Sequence, residues 1–210
     1  YTGSESMASM LAMNKHFTKI IAVENDIQTP NWLSVNINNA DETKFLSYKS
    51  NQFTYPVVVK PNFQGSTVGL SIVKNKDEMK EAINLASIYS NNIIVEKFIK
   101  GRELTVGVLG EKALEIIEII PKSGFYDYGS KYTQGATKYI CPADIDENIS
   151  KKIKENALEI HKSVGCRHYS RVDFLLCEES STVYMLEINT LPGLCSTSLL
   201  PISAKSCNIG

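Results

Sequence analysis

Four polar residues near the end of the chain have the types and spacing to do chemistry. Arg171 and Asp173 are two apart in a run that reads as a strand, Arg171 to Cys177, and Glu187 and Asn189 are two apart in the next, Val183 to Asn189. Side chains two apart on a strand share a face. If Glu178 to Thr182 form the connecting loop, the hairpin sets Asp173 opposite Glu187 and Arg171 opposite Asn189. One residue more or less in that loop shifts the register. Like charges directly opposite on a sheet repel, so the pattern favours a cation between them. Two carboxylates and an amide oxygen suit Mg2+, which usually also binds substrate phosphates. The competing reading is a solvated strand face.

Three further segments add candidate chemistry. Lys60 stands at the end of the β-branched run Tyr55 to Pro61, which proline closes, and Gly65-Ser66-Thr67-Val68-Gly69 follows it. A cation, backbone N–H groups and hydroxyls together offer themselves to a phosphate, although the order is not that of a Walker motif. Thr190-Leu191-Pro192-Gly193-Leu194 follows the carboxylate strand directly. There the Gly193 N–H could face a developing oxyanion with Arg171 as partner charge, or the segment is an ordinary turn. The stretch Ser123 to Tyr132 is rich in Gly, Tyr and Lys and reads as a lid or as a surface loop. The histidines, His16, His161 and His168, have no spaced partner, and no Ser-His-Asp or Cys-His arrangement assembles.

The elements that must position these residues are legible in outline. Met7, Met10, Leu11, Met13 and Phe17 predict an early helix with a core-facing apolar side. Strands are expected at Tyr55 to Pro61, Leu70 to Val73, Ile93 to Val95, Leu104 to Leu109 and Ala113 to Ile120. Asn75 and Glu78 form a capping-box pattern before a helix carrying Met79, Ala82, Ile83 and Ala86. Ile149, Ile153, Ala157, Ile160 and Val164 predict a second long helix, with Gly165 as its C-cap. Strands and helices mix without a regular β-α-β alternation, so the expected class is α+β in two subdomains hinged near residues 98–102.

Composition narrows the function. The 210 residues are 43% hydrophobic and 21% charged, ordinary for a globular protein. With 22 Lys plus Arg against 23 Asp plus Glu the net charge is −1, which argues against an extended nucleic-acid partner. No run approaches the ~20 apolar residues that cross a bilayer, so no membrane partner is expected. Cys141, Cys166, Cys177, Cys195 and Cys207 are widely spaced without a C-x-x-C pair, which suggests reduced thiols in a cytoplasmic protein. The opening Tyr1-Thr2-Gly3-Ser4 reads as a turn already in progress, as in a piece of a longer chain.

Taken in order, the motifs resemble the D-alanine–D-alanine ligases across essentially the whole chain. They are Tyr1-Thr2-Gly3-Ser4, Val59-Lys60-Pro61 with Gly65 to Gly69, Val95-Glu96-Lys97, Phe125-Tyr126-Asp127-Tyr128, Arg171-Val172-Asp173 and Leu186 to Gly193. The resemblance implies an ATP-grasp fold with ATP between two α+β lobes, 1–99 (central, with the end of a preceding linker) and 100–210 (carrying the metal and substrate sites). It implies ATP-dependent joining of two D-alanines through an acyl phosphate, for peptidoglycan precursors. Lys15 and Lys60 then match the phosphate-contacting lysines, Glu96, Lys97, Phe98 and Ile99 the adenine-receiving hinge, and Glu103 the ribose-binding acid. Asp173, Glu187 and Asn189 match the ligands of two Mg2+ ions, with Mn2+ as the alternative. Lys131 and Tyr132 match the tip of the lid, and Tyr132 and Ser66 count among the expected catalytic residues. Arg171 and the Gly193 amide match the oxyanion-stabilising pair, and Ser198 and Leu199 the site for the second substrate's carboxylate. The resemblance also implies a homodimer, and a further N-terminal domain and terminal helix beyond the two ends. Cys195 stands where threonine is common. The alternatives are another ATP-grasp carboxylate–amine ligase and a nucleotide-binding module without catalysis.

Overall fold

The computed structural model describes residues 1–38, 54–122 and 137–209. The chain forms two compact units, one of Tyr1–Thr29 with Lys100–Gly210 and one of Pro30–Ile99.

In the first unit, strands β5 (Gly101–Leu109), β6 (Lys112–Pro121), β7 (Thr137–Ile140), β8 (Tyr169–Cys177) and β9 (Val183–Asn189) form an antiparallel sheet in the order β7-β6-β5-β8-β9. Burial alternates strictly along β8: Ser170, Val172, Phe174 and Leu176 are buried, while Arg171 and Asp173 are half-buried on the other face. The buried face packs on helix α4 (Glu147–Ser163), which contributes Ile153, Ala157 and Ile160 at helical spacing. Each fully buried Ile or Phe here contributes about 1.5–3 kcal/mol. The Asp146 carboxylate accepts from the N–H groups of Asn148 and Ile149 and so caps α4. At its other end Gly165 adopts φ +78. Its N–H donates to the carbonyl of Lys162 and that of Cys166 to His161, the Schellman closure that favours glycine.

The division between units differs from the expected 1–99 and 100–210, because residues 1–29 fold onto the second of these. Helices α1 (Ser6–Met13) and α2 (Lys15–Glu24) bury Ala8, Ala12 and Ala22 in the same core as β8, β9 and α4. Gly3 donates its N–H to His168 Nδ1 at 2.9 Å, Arg167 Nε donates to the Gly3 carbonyl, and Met185 donates to the Gln28 carbonyl. The expected core-facing Met stripe is also corrected. Small alanines face the core, whereas Met7, Met10, Met13, Phe17, Ile20 and Val23 point outward, with Met7 69% exposed. The spacing revealed the helix but not which side the sheet would take. Helix α2, the short strands β1 (Trp32–Asn36) and β7, and the final helix α5 (Leu199–Ser206) carried no sufficient local signal.

In the second unit β2 (Val57–Pro61), β3 (Ser71–Val73) and β4 (Asn92–Lys97) join β1 in the order β1-β4-β2-β3, all antiparallel. Val57, Val59, Ile93 and Val95 pack on helix α3 (Met79–Ser87) through Met79, Ala82, Ile83 and Ala86. Asn75 and Glu78 bond reciprocally as expected, although the helix proper begins one turn later, at Met79. No helix among the described residues is long and apolar enough to cross a membrane.

One buried polar pair gives the fold a pH dependence. His161 is buried under the sheet with Nδ1 2.7 Å from Ser170 Oγ. Burial holds its pKa below the ordinary 6.5, and the neighbouring Lys162 lowers it further. Above pH 6.5 both folded and unfolded chains hold it neutral. Below that value the unfolded chain takes up a proton that the folded chain resists, so stability falls as pH falls. The thermal midpoint is therefore expected to drop between pH 7.5 and 5.5, and less steeply in His161→Gln. Equal slopes for the two proteins would remove His161 as the cause.

Candidate active site

Each unit carries one cluster of the expected residues. In the first, β8 pairs with β9 so that Arg171 lies opposite Asn189 and Asp173 opposite Glu187. The ladder reaches this register through a bulge. Leu176 pairs with Val183 and Phe174 with Met185, then Leu186 is skipped and Asp173 pairs with Glu187. The extra residue lets Val183, Met185 and Ile188 all face the core while Glu187 and Asn189 face the site.

The facing carboxylates are neutralised by side chains. Arg171 forks onto Asp173, Nε to Oδ1 at 2.9 Å and Nη2 to Oδ2 at 2.8 Å. Lys15, buried at the start of α2, places Nζ 3.3 Å from Glu187 Oε2. Asn189 Nδ2 donates to Asp173 Oδ2 at 3.1 Å, and Thr105 Oγ1 donates to Oδ1 at 2.6 Å. Repulsion alone therefore does not demand a metal, a correction to the expectation from strand pairing: two cations of the chain already lie there. What bears on a metal is the donor chemistry. Among the described residues no group of three or more His, Cys, Asp or Glu could hold an ion. Two carboxylates and an amide make too small a cage for a dedicated site, but fit an ion that takes its other ligands from substrate phosphates. Glu103 lies two residues from Thr105 on β5, on the same strand face and half-buried.

Gly193 and Ser198 also come together. A Cβ on Gly193 would stand 2.5 Å from Ser198 Oγ and 3.2 Å from its Cβ, so a side chain there would displace the Ser198 hydroxyl. Ser198 is the N-cap residue of α5, and its N–H donates to the Cys195 carbonyl. The Leu199 side chain is buried against Ile117 and Ile119, so it anchors α5 to β6.

In the second unit Lys60 and Glu96 form a buried ion pair, Nζ to Oε1 at 2.5 Å. The register places Lys60 opposite Ile94 and Glu96 opposite Val58, on the face away from the valine core. Glu96 thus holds Lys60 through Oε1. Beyond it Lys97 is exposed, Phe98 half-buried and Ile99 buried, with the N–H of Lys97 donating to the Asn31 carbonyl and that of Phe98 to Pro56. In the loop after β2, Ser66 and Thr67 adopt φ 52 and φ 63, a conformation that costs a non-glycine residue about 1–2 kcal/mol. Strain of this kind gathers where a loop serves a ligand. Lys131 and Tyr132, with the rest of the expected lid, lie outside the described residues.

Sequence reasoning missed Thr105 and the partnership of Lys60 with Glu96. Only knowledge that β5 neighbours β8, and β2 neighbours β4, could have found them. Cys195 is a second site feature. All five cysteines are free, but Cys195 Sγ lies 3.0 Å from Ser198 Oγ and 3.4 Å from Thr197 Oγ1. Those hydrogen bonds pull its pKa down to about 7, whereas burial pushes Cys141 and Cys166 up. Iodoacetamide at pH 7 is expected to label Cys195 first, read by peptide mass spectrometry. Earlier labelling of Cys141 or Cys166 would contradict this.

A family model described as D-ala D-ala ligase C-terminus matches residues 21–209. The D-alanine–D-alanine ligase of Geobacter sulfurreducens is 42% identical over 211 residues, covering 100% of this chain and 65% of the relative. That of Aquifex aeolicus is 42% identical over 206 residues, covering 98% and 67%. The chain thus spans about two thirds of the length of such relatives. Among solved structures, the VanG D-Ala:D-Ser ligase from Enterococcus faecalis superposes with TM-score 0.87 at 33% identity, over 98% of this chain and 60% of that one. The D-alanine–D-alanine ligase from Bacillus anthracis complexed with ATP gives TM-score 0.82 at 30% identity, over 99% and 65%. The expected α+β, ATP-grasp fold is the fold of these ligases.

Proposed function

Because the chain belongs to the D-ala D-ala ligase C-terminus family, we propose that it carries the ATP, metal and acceptor sites of an ATP-dependent ligase making D-alanyl-D-alanine. The observation that carries this is the gathering of Lys15, Arg171, Asp173, Glu187 and Asn189 on one face of the β8–β9 hairpin. In this reading Lys60, oriented by Glu96, and Lys15 hold the nucleotide phosphates. The segment Glu96 to Ile99 receives adenine, and Glu103 the ribose. Asp173, Glu187 and Asn189 would hold Mg2+ or Mn2+, which when bound offsets charge on the transferring phosphoryl group. ATP phosphorylates the carboxylate of the first D-alanine, and the amine of the second attacks the acyl carbon with loss of phosphate. Arg171 and the Gly193 N–H offset charge on the oxyanion of that step. Ser198 and the N-terminus of α5 take the carboxylate of the second amino acid. Ser66 and its loop offer a hydroxyl and N–H groups to the phosphates, and the lid that carries Lys131 and Tyr132 keeps water from the acyl phosphate. The assembly acts in the cytoplasm as a homodimer, as its resemblance implies.

The likeness to a D-Ala:D-Ser ligase gives the acceptor a second reading, since only the second amino acid differs. The test is phosphate release from Mg-ATP with D-alanine alone and with added D-serine, with the products identified. D-alanine-dependent release with D-alanyl-D-alanine formed establishes the ligase. A mixed product in preference to it assigns the second reading. ATP binding without D-alanine-dependent release removes catalysis from this chain and leaves a nucleotide-binding module.

A further inference from the structure

Thr105 has no role in the reading above, yet it makes the shortest of the four hydrogen bonds to Asp173. It is 1% exposed and lies directly across from Asp173 on the neighbouring strand β5. Its Oγ1 donates to Asp173 Oδ1 at 2.6 Å and lies 3.3 Å from the Val172 carbonyl. The other donors to this carboxylate are two nitrogens of Arg171 and the amide of Asn189. These four differ in how firmly they are held. Arg171 is a long, partly exposed side chain whose proposed work is at the oxyanion, and Asn189 is itself a candidate metal ligand. Thr105 is β-branched, with restricted χ1, sits in the middle of a buried strand, and has no other assigned task. If Arg171 serves the oxyanion and Asp173 a divalent cation, as in the reading above, the fork between them opens and Thr105 is the fixed donor left on the carboxylate.

We propose that Thr105 is a positioning residue that fixes the Asp173 carboxylate while its counter-ion changes from Arg171 to a divalent cation. This rests on the reading of Asp173 as a metal ligand. Hydrogen-bonded partners of metal-binding carboxylates set ligand orientation, and their loss typically lowers metal affinity about 10–100-fold.

The experiment is Mn2+ binding in the presence of ATP, followed by electron paramagnetic resonance on the full chain, for wild type, Thr105→Val, Thr105→Ser, Thr105→Ala and Asp173→Asn. Valine keeps the shape and loses the hydroxyl; serine keeps the hydroxyl; alanine tests hydroxyl loss should valine not fold. The expected result is roughly tenfold weaker Mn2+ binding in the valine and alanine variants, restored by serine. The metal requirement for turnover should rise in parallel, with kcat largely recovered at saturating Mn2+. A purely structural role would lower the melting temperature and the folded fraction without moving the Mn2+ affinity of the folded protein. Wild-type Mn2+ affinity in both hydroxyl-lacking variants, with affinity lost in Asp173→Asn, overturns the role of Thr105 alone. Wild-type affinity in Asp173→Asn overturns the reading of Asp173 and this inference with it.

Discussion

Asparagine in place of Asp173 is expected to abolish metal-dependent ATP binding while leaving the fold intact, with turnover reduced at least about 10³-fold. The size follows from the several kcal/mol that a bound divalent ion contributes to phosphoryl transfer, at 1.36 kcal/mol per tenfold. The fold should survive because Asp173 is only half-buried and faces Glu187 rather than the apolar core. Asparagine also keeps a side-chain oxygen that can accept from Thr105 or Arg171, which limits the loss. Isothermal titration of Mg-ATP, paired with thermal melting, separates these effects. Glu187→Ala should behave alike, with Lys15 released as well. Undiminished Mg-ATP affinity in both variants would move the metal away from this hairpin.

Lys60→Met should act on the second unit in the opposite way, unfolding as well as disabling. Its ammonium is the ion-pair partner of a Glu96 carboxylate that is 4% exposed. Removing one member of a buried pair typically costs about 3–5 kcal/mol, whereas replacing both with apolar groups of similar volume is often neutral or better. Denaturant titration is therefore expected to show Lys60→Met destabilised by about 3–5 kcal/mol and Lys60→Met/Glu96→Met restored to near wild type. Nucleotide affinity should be lost in both, because the phosphate-binding cation is absent from each. Recovery of ATP binding along with stability in the double variant would make Lys60 a structural lysine only.

Period and capping were enough to find the large elements. The strict alternation in β8 and the three- and four-residue spacing in α4 are properties of the core face itself. The hairpin register at the site also came out as expected, but for a different reason. A regular ladder would have placed Val183 and Met185 on the same face as Glu187. The change of phase from Val183 and Met185 to Ile188 was visible in the sequence and is the sign of the bulge at Leu186. Contacts between distant strands were not legible: Thr105 with Asp173 spans 68 positions and Lys60 with Glu96 spans 36. The Met stripe failed for a similar reason, since periodicity is symmetric with respect to inside and outside until the neighbours are known.

The bulge at Leu186 separates the two ends of the hairpin. Between Leu176 and Val183 one offset holds, and between Asp173 and Glu187 another, a single residue apart. Deleting Leu186 would merge the offsets into one unbroken ladder, with Val183, Met185 and Ile188 still turned to the core and Glu187 still facing Asp173. The connecting turn at 178–182 can likewise change length without passing the change on, because the strand has a place to absorb or release one residue before the carboxylates. Alignment at the base of the hairpin is thus set by the strand on its own side of the bulge.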